Sequence, residues 1–144
     1  MRGIIQDLQS DGDDVTVLDL EAGLEHLKRG TASSSDTLLV VAEPYYRSLE
    51  TATRAADLGR ELGIGRVGIV ANKVRDDRDA NAISQVFEPR GLPVLGVVPF
   101  DQSVVLADQT PAALIDIAPD SPAVRAVEAL VDRLGPRPPA PGSG

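Results

Sequence analysis

Apolar positions along the chain fall into short unbroken runs that alternate with longer periodic stretches. Val15 to Leu20, Thr37 to Ala42, Val67 to Ala71 and Val94 to Val98 are runs of strand length, and the last three are too apolar to alternate. Each predicts a strand buried on both faces. Between them the spacing turns helical. Tyr46 to Leu62 places Leu49, Ala52, Ala56, Gly59 and Leu62 on one face, with Glu50, Arg54, Asp57 and Arg60 opposite. Gly63 then suits a helix stop in the left-handed region. Asp79 to Glu88 predicts a helix with Ile83, Val86 and Phe87 inward, and Gly91 and Pro93 bracket the turn after it. Ser103 to Gln109 predicts a short helix. Ser121, with Pro122 at the first helical position, predicts the start of a last helix. That helix runs to about Leu134, with Val124, Val127, Leu130 and Val131 inward. At the front, Ile4, Ile5 and Leu8 are spaced as the last turns of a helix, closed by a turn at Asp11 to Asp14. Glu21 to Ser35 reads as a loop with a helical turn at Leu24 to Lys28.

Strands of this kind alternating with helices predict an α/β fold, a parallel sheet with helices on both faces in a Rossmann-type, three-layer arrangement. Residues 1–135 are expected to form this domain, and the Pro-rich residues 136–144 a disordered tail. The chain has 144 residues, enough for one domain with its own core. Aromatic residues make up only 3%, so that core must be built of Val, Leu, Ile and Ala. A net charge of −8 argues against a broad nucleic-acid surface. There is no cysteine, which removes disulfides and thiolate metal sites, and His26 is the only histidine. No apolar run reaches membrane-spanning length and none resembles a signal-peptide core, so a cytoplasmic location is the expectation.

In a parallel sheet, ligands bind beyond the carboxyl ends of the strands. The pattern delivers Asp19, then Asn72 and Lys73, then Pro99, Phe100 and Asp101 to three such ends. A strand-end carboxylate followed by Gly23 suits a magnesium ion and a γ-phosphate: the carboxylate holds the metal directly or through water, and the glycine lets a backbone N–H approach. The same spacing equally fits a strand that leaves the core at Asp19 and turns at Gly23. Gly63 to Gly68 spells G-x-G-x-x-G, but it follows a helix and enters a strand, the reverse of a dinucleotide-binding turn. It reads as a helix stop and a tight turn. Asn72-Lys73-Val74-Arg75 is similar to the guanine-reading Asn-Lys-x-Asp of GTPases, with Arg75 at the Asp position. Arginine offers no acceptor to the guanine N1–H and N2–H₂ donors, whereas the Asn72 amide can pair with an adenine edge. An ordinary Asn-Lys turn at a strand end is the other reading.

Four blocks, DLEAGLEHLKRGT, DTLLVVAEPYYRSLETATRAADLGRELGI, VGIVANKV and LGVVPFD, resemble the second half of MinD/ParA-type deviant P-loop ATPases. They most resemble the branch that matures carbon monoxide dehydrogenase by inserting nickel. The resemblance implies a P-loop NTPase-like fold that binds ATP and Mg²⁺. It implies Asp19 as the switch II carboxylate near Mg²⁺, holding it through water, and Gly23 as an N–H donor to the γ-phosphate. It also implies Asn72 on adenine with Lys73 beside it, and Pro99 and Asp101 lining the base pocket. Family members are ATP hydrolases that dimerise around two nucleotides and serve a client protein. The sequence departs from the family in three respects: no G-x-x-x-x-G-K-[ST] occurs in it, the Cys-x-Cys metal site of the maturation branch is missing, and so is the strand that would lie beside the Asp19 strand. The expected sheet is therefore incomplete at the N-terminus, and the chain is expected to need a complementing half or a homodimer partner.

Two functions follow as expectations. One is an ATP-binding maturation factor for a metalloenzyme, inactive in hydrolysis as this chain alone, since the phosphate cradle supplies both positioning and charge stabilisation. The other is a non-catalytic interaction or regulatory module that keeps the fold. A ParA-like partitioning ATPase that binds DNA non-specifically is disfavoured by the acidic balance.

Overall fold

The computed structural model describes residues 15–20 and 35–135. Three strands form one parallel sheet in the order β1 (Thr37–Ala42), β2 (Arg66–Val74) and β3 (Val94–Pro99). Helix α1 (Tyr46–Glu61) crosses from β1 to β2, and α2 (Asp77–Phe87) with a 3-10 turn (Glu88–Arg90) crosses from β2 to β3. After β3 come α3 (Gln102–Asp108), α4 (Leu114–Ile117) and α5 (Pro122–Leu134). The α/β class, the parallel sheet and the helices on both faces are as the pattern predicts.

The larger core lies under α1 and α2. Val40 and Ala42 of β1 and Ile69, Ala71 and Val74 of β2 meet Ala52 and Ala56 of α1 and Ile83 and Phe87 of α2. A smaller core on the other face joins Val70 and Leu95 to Leu130 of α5. Two glycines set these distances. A Cβ on Gly59 would strike the Leu38 side chain beneath α1, and one on Gly68 would strike Leu95. The G-x-G-x-x-G string thus resolves into a helix stop at Gly63, with φ +87°, and a close side-chain approach at Gly68.

Local chemistry fixes the element ends. Asp76 accepts a hydrogen bond from the Asp79 N–H at 3.0 Å, so α2 begins two residues earlier than the apolar spacing predicts. Ser121 caps α5 ahead of Pro122, as expected. At the amino ends of the strands, arginines bond main-chain carbonyls: Arg60 to Arg90 and Gly91, Arg66 to Leu134, and Arg133 to Leu95.

Two expectations are corrected. Val15 to Leu20 is not a buried strand: it carries no regular structure, and Val15 and Val17 are both 84% exposed. A strand exists only where a neighbour takes its N–H and C=O groups. Among the described residues β1 pairs with β2 alone, so nothing flanks this segment. Val127 and Val131 lie on the apolar side of α5 but are 47% and 61% exposed. Val127 opens onto a groove that it shares with Val98, Val104, Leu114 and Ile115, and Val41 is likewise open on the α5 face of β1. The expected helix near Leu8, the loop from Glu21, and the Pro-rich tail fall outside the described residues.

Candidate functional site

The carboxyl ends of β2 and β3 enclose a shallow cleft of about 80 Å³. Asn72 and Lys73 line it from β2, Pro99, Phe100 and Asp101 from the end of β3, and Val104 and Val105 from α3. The Phe100 N–H donates to the Val74 carbonyl at 2.9 Å, which ties the two strand ends together. The Arg75 guanidinium stands 5.2 Å from the Phe100 ring centroid, a cation–π contact at the edge of this wall. The cleft therefore offers an apolar, partly aromatic wall and one side-chain amide. That combination suits a flat heterocycle with a hydrogen-bonding edge.

Asp101 is the buried carboxylate of the site. One oxygen accepts from the Ser103 N–H at 2.9 Å and caps α3, and the other accepts from the Ala123 N–H at 3.0 Å in the first turn of α5. These bonds, the Ala123 one first, hold its carboxyl below the ordinary aspartate range. Both oxygens are thus engaged by main-chain donors, and Asp101 shapes the cleft more readily than it contacts a ligand.

Lys73 pairs with Glu43, which follows β1, at 2.7 Å. This hydrogen bond and the opposite charge raise the lysine pKa. Glu43 was not singled out from the sequence. Its position one residue past an apolar strand was the available signal, but its partner lies on another strand.

The structure gathers Asn72, Lys73, Pro99 and Asp101 into one place. It does not bring Asp19 there: that carboxylate is exposed on the irregular segment 15–20. Gly23 and His26 lie outside the described residues. Among the described residues no three His, Asp or Glu side chains gather into a metal site. No described helix is long and apolar enough to cross a membrane.

A parallel α/β sheet with an open cleft beyond its strand ends is the framework of nucleotide-binding proteins. Residues 2–115 match the CobQ/CobB/MinD/ParA nucleotide binding domain. This chain belongs to that family. It is 39% identical over 108 residues to an uncharacterized ATP-binding protein of Methanocaldococcus jannaschii, a match covering 75% of this chain and 42% of that protein. It is 34% identical over 138 residues to the carbon monoxide dehydrogenase accessory protein CooC of Rhodospirillum rubrum, covering 94% of this chain and 52% of CooC. Among solved structures, the MinD cell division protein of Aquifex aeolicus superposes with a TM-score of 0.75 at 19% identity, covering 96% of this chain and 61% of that one. The chain spans about half the length of the curated relatives it matches.

Proposed function

We propose that this chain carries the base-recognising part of an ATP-binding domain, and that the ATPase it serves matures a metalloenzyme, a reading supported by the similarity to a carbon monoxide dehydrogenase accessory protein. The observation that carries the reading is the cleft where Asn72, Pro99 and Phe100 meet beyond the strand ends. Phe100 and Pro99 supply a wall for the base. The Asn72 amide supplies one donor and one acceptor, which match the N6 amino group and the adjacent ring nitrogen of adenine. Arg75, at the position where guanine readers place an acidic residue, presents donors only and disfavours guanine. Contacts to the phosphates and to Mg²⁺ fall to groups other than the described residues, and a second subunit or a complementing half is the partner this reading requires.

The test is thermal unfolding of the 144-residue chain with millimolar Mg-ATP, and with Mg-GTP as the control. A ligand at about 100 times its Kd stabilises a fold by roughly 2.7 kcal/mol, which is several degrees for a domain of this size. A rise in Tm with ATP and not with GTP is the expected result. Equal shifts with ATP and GTP would overturn the adenine reading, and a cooperative melt unmoved by either nucleotide would favour the interaction module.

A further inference from the structure

Among the described residues Lys73 is the only one other than glycine with a positive φ, at 55°. Lysine gains nothing locally from this left-handed backbone, unlike Asn or Asp, whose short side chains can bond it. The strain falls at a bulge. Ala71 stands opposite Val97 and Val74 opposite Pro99, so three steps along β2 match two along β3. Asn72 and Lys73 are consecutive, and in a regular strand they would point to opposite faces. Here both line the same cleft.

The bulge is held from outside. The Lys73 ammonium pairs with Glu43 at 2.7 Å, and the Glu43 N–H donates to the Ser48 hydroxyl of α1 at 2.8 Å. On the other side the Val74 carbonyl accepts from Phe100, and the Arg75 N–H donates to Asp79 at 3.0 Å. Within the described residues the Asn72 side chain makes no hydrogen bond of its own. We propose that Lys73 is a positioning residue whose left-handed backbone, braced by the ion pair with Glu43, aims the Asn72 amide into the cleft. The ammonium is engaged by Glu43. This rests on the nucleotide reading above for its ligand, but not for its geometry.

The experiment follows the Asn72 side-chain amide by NMR in the full chain, first alone and then titrated with adenosine. Without ligand, wild type should show a single Asn72 χ1 rotamer, and an averaged χ1 would overturn the proposal. Lys73→Gly and Lys73→Asn tolerate the left-handed region and should keep that rotamer and bind adenosine within about threefold of wild type. Lys73→Val, which does not tolerate it, should average the rotamer and weaken binding by about tenfold or more. Glu43→Gln should weaken binding about threefold with the sheet amide resonances unmoved, a check that stands even where the valine variant fails to fold. Equal losses in the glycine and valine variants would assign the effect to the cation and sink the proposal. A fixed wild-type rotamer with no adenosine binding would leave the positioning intact and remove the nucleotide reading instead.

Discussion

One carboxylate, that of Asp101, starts two helices. Its bonds to Ser103 and Ala123 favour the ionised form, so the folded state takes up a proton less readily than the unfolded chain does. The stabilisation is complete above the ordinary aspartate pKa of about 3.9 and is lost as pH falls through the lower, folded value. Urea unfolding midpoints should therefore drop on acidification below about pH 4, and Asp101→Asn should flatten that drop. The asparagine oxygen can still serve Ser103, but its NH₂ then faces the Ala123 N–H, donor against donor. A mutant with the wild-type acid slope would show that another carboxylate governs it. The sequence made Asp101 visible as a residue beyond a strand, because apolar runs mark where strands end. Its capping of α5 was not visible, because Ala123 lies 22 residues away. The Glu43–Lys73 pair was hidden for the same reason: the two are neighbours only once β1 and β2 lie side by side.

Elements were legible where the sequence carries their own boundary chemistry. The Tyr46 helix, the Ser121 cap and the strands from Thr37 and Val94 appear within a residue or two of expectation, whereas the strand from Val67 runs three residues past its expected end at Ala71 and takes in Asn72 and Lys73. Val15 to Leu20 failed because an apolar run records a readiness to be buried, while a strand also requires a neighbour to bond with. Packing inside the elements sets sharper expectations. Gly68→Ala puts a methyl group into Leu95 and should cost about 1–3 kcal/mol, although alanine suits a strand better than glycine. Phe87, fully buried between α2 and the sheet, should cost about 3–5 kcal/mol on truncation to alanine. Equilibrium urea unfolding measures both, and a Gly68→Ala protein as stable as wild type would mean that Leu95 swings aside freely.

At the scale of the whole molecule, the described sheet is narrow and one helix on its second face is only half covered. An open apolar groove of about 330 Å³ runs past Val98, Val104, Leu114, Ile115 and Val127. Charge placed on neighbouring positions of α5 should therefore have opposite consequences. Val131→Glu, on the exposed side of α5, should shift stability by no more than about 0.5 kcal/mol. Leu130→Glu, against Val70 and Leu95, should cost about 3 kcal/mol or more, because it buries a charge with no partner. Circular dichroism melts of the two variants decide this, and equal losses would mean that the exposed side of α5 is covered in solution.

The arginine bonds sit at one end of the sheet only. Arg60, Arg66 and Arg133 each reach across from one segment to the carbonyls of another, all near the amino ends of the strands. Local opening is cheapest where few such ties cross between segments. The opposite rim carries ties of its own, Lys73 to Glu43, Phe100 to Val74 and Asp101 to Ala123, so deuterium should enter β2 slowly at both of its ends, and fast exchange at Val74 would mean that the rim ties are broken in solution. A frame fastened at its floor and at its rim offers a small guest a seat that is already built, with little left to rearrange when the guest arrives.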